Sequence, residues 1–166
     1  YRRQRQMCIR DRRKTACLFK AACQIAGILS KSDQQTINAL GSFGMHLGNA
    51  FQIIDDTLDY ESDSSIIGKE IGDDLSEGKV TLPMIYALEK TKKVENKILT
   101  DAINNADASN INQIVDILLN VNAFQYSRDI AKAQSNKALK SIAHLPDSKY
   151  KTALILLCEL SLERSA

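Results

Sequence analysis

An all-α bundle is the fold class this sequence predicts, on three observations. Its 166 residues, 44% hydrophobic and 25% charged, suffice for one compact domain with a core and are too apolar for a disordered chain. Two prolines, no tryptophan, 5% aromatics and seven glycines are poor equipment for a many-stranded sheet, which needs a turn every ~10 residues. Apolar residues return every three or four positions over long stretches, and no strand alternation or internal repeat competes with them. A membrane span is excluded as well, because no run approaches ~18 uninterrupted apolar residues.

The chain opens with YRRQRQMCIRDR, residues 1–12, which hold five arginines and one aspartate. This arm lacks the apolar stretch of a secretory signal and resembles translated sequencing-adapter read-through, so it is read as non-native, with a basic nucleic-acid tail as the competing view. The remaining 154 residues carry 17 basic and 19 acidic groups, a mildly acidic body on which no nucleic-acid partner is expected. Residues 13–29 place Ala16, Phe19, Cys23, Ala26 and Leu29 at helical spacing, an amphipathic helix with a small-residue face. Ser32-Asp33 then supplies an N-cap. From there Ile37, Leu40, Phe43, Leu47, Phe51, Ile54 and Leu58 predict one long helix from Gln34 to about Tyr60. Gly41, Gly44 and Gly48 lie inside it at a cost of ~1 kcal/mol each against alanine, so a neighbouring helix or a ligand should come close there.

Residues 61–79, ESDSSIIGKEIGDDLSEGK, break the period and read as a long loop with room for one short helical turn. Helix resumes at about Thr81, where Pro83 is tolerable in a first turn. Later helices are expected near 93–104, 109–121, 122–143 and 148–163.

Cysteines occur at 8, 17, 23 and 158 without a C-x-x-C pair or a zinc-type partnership with either histidine. Cys17 and Cys23 lie ~9 Å apart along one helix axis and face different directions, so they are not expected to bridge, and a reducing cytoplasm is the simplest compartment. His46 and His144 read as packing or surface residues.

The chemistry concentrates in D-D-T-L-D, residues 55–59, in the middle of the apolar helix, where aspartates disfavour helix and like charges repel. Gln52, Asp55 or Asp56, and Asp59 fall on one side of that helix. Carboxylates presented from a rigid helix suit Mg²⁺, which takes one or two of them and bridges to substrate phosphate. A solvated acidic face is the alternative reading. Gly68-Lys69 and Gly78-Lys79 follow in a segment otherwise holding six acids, either as charge balance or as cations for a diphosphate. Lys14-Thr15 could add a further cation and a hydroxyl.

The stretch GNAFQIIDDTLDYESDSSIIGKEIGDDLSEGKVTLPMIYAL, with KTACLF at 14–19, resembles the trans-polyprenyl diphosphate synthases around their second aspartate-rich region. Residues 13–166 are similar to the C-terminal half of that family's helical isoprenoid-synthase bundle, and the wording is closest to bacterial long-chain, octaprenyl- or solanesyl-type synthases. The resemblance implies a prenyltransferase that joins an allylic diphosphate to isopentenyl diphosphate with Mg²⁺. It assigns Asp55, Asp56 and Asp59 to the metal, with Asp55, Asp56 and Lys14 as the catalytic set. Lys14, Lys69 and Lys79 fall to the diphosphate, and Thr15 and Gln52 to the allylic site. It also implies a homodimer. The loop at 61–79, with three glycines, six acids and little apolar surface to bury, is expected to be mobile when empty and ordered by Mg²⁺ and diphosphate. The family's first aspartate-rich motif and its isopentenyl-gripping residues precede the lysine-threonine helix and find no match here, so the chain is expected to be an inactive fragment. A noncatalytic diphosphate-binding or stabilising subunit is the alternative, and a class I terpene cyclase is disfavoured by the G-K-x-T-L-P wording.

Overall fold

The computed structural model describes residues 15–61 and 71–164. Its regular elements are all helices: α1 (Cys17–Leu29), α2 (Gln34–Glu61), α3 (Asp73–Ser76), α4 (Leu82–Lys90), α5 (Lys93–Asn105), α6 (Ile111–Asn120), α7 (Ala123–Ser141) and α8 (Lys149–Glu163). The expected all-α class and the order of helices both hold.

Helix ends follow their local chemistry. Asp33 caps α2 by accepting the Thr36 N–H at 2.7 Å, a bond that also lowers the Asp33 pKa. Ser148 caps α8 by accepting from Lys151 N–H at 3.2 Å. Pro83 sits in the first turn of α4, where its missing N–H costs nothing. Helix α1 ends without glycine: Lys31 adopts φ 54°, and the Lys31 and Ser32 N–H groups return to Ile28 and Gly27 carbonyls at 3.0 and 3.1 Å.

The chain divides into two compact units. Of the described residues, one comprises 15–54 with Ile130–Arg164, and the other 55–61 with 71–129. In the first, Phe43 and Leu47 of α2, Ala138 of α7, Ile142 and Cys158 of α8 form a buried cluster. Against it α1 packs by its small-residue stripe. A Cβ at Gly48 would lie 2.7 Å from Ala16 Cα, and one at Gly44 would run into the Phe19 carbonyl. The expected close approach at these glycines is therefore made by α1. The stripe itself needs correction at its C-terminal end: Ala26 and Leu29 are exposed, and Gly27 is the buried residue, against Ile37 and Leu40. Glycine is invisible to an apolar-periodicity count, so the pattern drifted by one position.

The second unit is built on Tyr60, Leu75, Met84, Leu99, Ile114 and Leu118 with Phe124. Leu75 is wholly buried in this core and fastens the four-residue helix α3 to it. The expected short helical turn within 61–79 is α3; the portion 62–70, with Lys69, lies outside the described residues, as do Lys14 and the arm.

Among the described cysteines, Cys17, Cys23 and Cys158 are unbridged. Burial raises the thiol pKa of Cys23 and Cys158, which keeps them protonated and unreactive. No described helix is long and apolar enough to cross a membrane.

Candidate functional site

The first unit supplies a hydroxyl–amide pair. Thr15 Oγ1 donates to Gln52 Oε1 at 2.7 Å across 37 residues of sequence. Both belong to the set expected to line the allylic site, and the α1–α2 seam described above brings them together. Phe19 and Phe51, with ring centroids 5.6 Å apart, pack alongside in the same unit. His46, by contrast, is committed to Gln134 through a 2.8 Å contact of Nδ1 with Oε1, in keeping with a packing role.

The second unit opens with the aspartates. Successive residues on a helix point ~100° apart, so Asp55 and Asp56 diverge: Asp55 is half-buried and Asp56 only 2% exposed. Asp59, one turn beyond Asp55, is half-buried and held by α3. The Gly72 N–H donates to its carbonyl at 3.1 Å, and the Asp74 N–H to its carboxylate Oδ2 at 3.2 Å. Gly72 can turn the chain there because it takes φ 85°, a region that costs side-chain-bearing residues strain.

Helix α3 then closes on itself. Gly78, at φ 71°, donates to Leu75 C=O at 2.9 Å, and Lys79 N–H donates to Asp74 C=O at 2.8 Å, the paired bonds of a Schellman ending. The turn swings Lys79 back over Asp74. Its Nζ meets Asp74 Oδ1 at 2.6 Å and Glu77 Oε2 at 2.6 Å, and those two carboxylates, Asp74 foremost, raise the Lys79 pKa so that the ammonium stays charged. In the ligand-free chain, then, Lys79 balances charge within its own turn. Beneath it Tyr60 is buried and accepts from Thr81 Oγ1 at 3.2 Å; burial, then Asp59, Asp74 and Asp56, push the phenol pKa up.

Sequence reasoning did not single out Asp74 or Tyr60. Asp74 had a readable signal: a glycine five residues after Asp73 predicts the chain reversal that sets residue 79 over residue 74. Tyr60 had none, since its environment is tertiary.

Among the described residues no three His, Cys, Asp or Glu side chains converge on one point. Mg²⁺ itself asks for only one or two carboxylates and completes its shell with water and phosphate oxygens. Asp55, Asp56 and Asp59 carry hard oxygen donors of the right chemistry, but the three side chains do not meet at one point in the ligand-free chain.

The described residues thus comprise three aspartates on one helix, a Thr–Gln pair and a lysine on a glycine-closed turn. The polyprenyl synthetase family profile matches residues 6–119, and the chain belongs to that family. It is 40% identical over 151 residues to all-trans-nonaprenyl-diphosphate synthase (geranyl-diphosphate specific) of Rhodobacter capsulatus, covering 91% of this chain and 46% of the relative. Against octaprenyl diphosphate synthase of Haemophilus influenzae the identity is 37%, over 92% of this chain and 46% of the relative. In three dimensions it resembles polyprenyl synthase from Caulobacter crescentus, solved with calcium and isoprenyl diphosphate, at a TM-score of 0.87 and 30% identity over 94% of this chain and 48% of that one. The chain thus spans about half the length of the curated relatives it matches.

Proposed function

We propose that the chain carries the diphosphate-side half of a trans-polyprenyl diphosphate synthase, an enzyme that joins an allylic diphosphate to isopentenyl diphosphate. The observation that carries this reading is the Thr15–Gln52 hydrogen bond, 2.7 Å long, which unites the lysine-threonine and F-Q-x-x-D-D segments of the motif. Asp55, Asp56 and Asp59 would hold Mg²⁺, and that ion, when bound, supplies Lewis-acid neutralisation of a departing diphosphate. Lys14, Lys69 and Lys79 bind the diphosphate oxygens, where charge grows as the C–O bond ionises, so they favour the transition state over the ground state. Thr15 and Gln52 turn carbonyl and hydroxyl dipoles toward the allylic cation and, already engaged with one another, are poorly placed to capture it. A homodimer in the cytoplasm completes the proposal on family resemblance and on the unbridged cysteines.

One experiment tests this reading. Inorganic diphosphate is titrated into the 166-residue chain with Mg²⁺, and prenyl transfer is assayed for the full-length enzyme and its Asp55→Ala and Asp101→Ala variants. Asp101 is exposed on α5. Loss of a transition-state ligand costs ~3 kcal/mol, about a hundredfold in rate, so Asp55→Ala should fall that far while Asp101→Ala stays near wild type. Equal effects would return the aspartates to a solvated acidic face. Diphosphate binding without transfer in the full-length protein would overturn the synthase reading.

A further inference from the structure

Asp74 stands between two groups that the proposed function assigns to the ligand. Toward α2, its backbone N–H donates to Asp59 Oδ2 at 3.2 Å. Toward the end of its own turn, its carboxylate Oδ1 accepts from Lys79 Nζ at 2.6 Å. The backbone enforces the second contact, because the Lys79 N–H bond to Asp74 C=O and the φ of 71° at Gly78 leave the lysine stem running back along α3. Leu75, fully buried, keeps α3 from turning away.

The charges decide what this clasp does. Lys79 is shared between Asp74 and Glu77, so the three groups together carry one net negative charge. An incoming diphosphate therefore meets a cation already satisfied and a carboxylate that repels it. The geometry points to Asp74 as a positioning residue that holds Lys79 in reserve, its carboxylate and the diphosphate competing for the same ammonium. Glu77 contributes less, since its side chain is 63% exposed against 17% for Asp74 and its pull is screened by water. This inference rests on the proposed function for the identity of the anion and on the observed contacts for the clasp.

The two parts separate experimentally. Asp74→Asn keeps an oxygen in place for Lys79 and removes the competing charge. Inorganic diphosphate is titrated calorimetrically, in chelator-treated buffer, into the 166-residue chain, Asp74→Asn, Lys79→Ala and the double variant. A part-exposed ion pair is worth up to ~1 kcal/mol, so Asp74→Asn should tighten binding by about fivefold, and the gain should vanish when Lys79 is also replaced. Glu77→Gln should produce a smaller gain. Unchanged or weaker binding in Asp74→Asn, or the same gain without Lys79, overturns the inference. A parallel NMR measurement on the ligand-free chain follows the Lys79 ammonium, which is restrained in the wild type and loosened in Asp74→Ala, where only the more exposed Glu77 still holds it. If no variant binds diphosphate with or without Mg²⁺, the diphosphate reading fails along with competition for that anion. A Lys79 ammonium equally mobile in wild type and Asp74→Ala refutes the clasp itself.

Discussion

Tyr60 illustrates what a single side chain adds once it is placed among acids. Its hydroxyl is buried at the base of the turn that carries Asp74 and Lys79, and burial followed by the Asp59, Asp74 and Asp56 charges raises its pKa. An unfolded tyrosine ionises near pH ~10. Above that pH the unfolded chain releases a proton that the folded chain retains, so stability is complete below it and declines as pH rises toward the folded value. Lys79 pushes in the same direction, because its folded pKa is raised too. Tyr60→Phe should therefore flatten the loss of stability in alkali while costing ~1 kcal/mol at neutral pH, where the buried Thr81 hydroxyl loses its partner. Urea unfolding at neutral pH and across the alkaline range checks this. A slope unchanged by the substitution would mean that other groups govern alkaline unfolding. At this scale the aspartates were legible because carboxylates in an apolar helix violate propensity, and the Asp74–Lys79 pair was readable from the glycine at 78, whereas Tyr60 acquires its role only through Thr81, a partner distant in sequence.

Helix α2 shows what periodicity could and could not reveal about an element. Its seven apolar positions, its Asp33 cap and its glycine run were readable because each follows from spacing or from cap chemistry. The identity of the element packed on the glycines was not, since nothing in Gly41, Gly44 and Gly48 names α1. The three positions also differ in a way that only coordinates expose. At Gly41 an added Cβ would meet the Gln24 side chain, 2.7 Å away at Cγ, and that side chain can swing aside. At Gly44 it would meet backbone, with the Phe19 carbonyl carbon at 2.8 Å, and α1 itself would have to move. Alanine favours helix over glycine by ~1 kcal/mol, and forced overpacking costs ~1–3 kcal/mol. Gly41→Ala should therefore be neutral or stabilising, and Gly44→Ala destabilising with the Thr15–Gln52 bond disturbed. Chemical denaturation midpoints of the two variants give the order, and a Gly44→Ala protein more stable than Gly41→Ala would contradict the close seam.

For the molecule as a whole, the amphipathic assignments leave apolar surface over. On α1, Leu18, Ile25, Ile28 and Leu29 are 54–77% exposed, and on α8 Leu156, Leu157 and Leu160 are 50–60% exposed. Isolated exposed leucines are ordinary, but several repeating at helical spacing on one helix form a patch that water disfavours. Relatives continue for about as much chain again beyond the matched half. The 166-residue chain by itself should accordingly give little or no prenyl transfer and should self-associate as its concentration rises. Leu18→Lys combined with Leu29→Lys adds charge to the exposed face of α1 without touching Ala16, Phe19, Cys23 or Gly27 on the packed side. That double variant should be more monomeric in analytical ultracentrifugation at unchanged far-ultraviolet helicity. Turnover near the ordinary range of ~1–10³ per second from the chain alone would refute the half-site reading. A wild-type chain that stays monomeric and binds no hydrophobic dye would show that these leucines are covered from within.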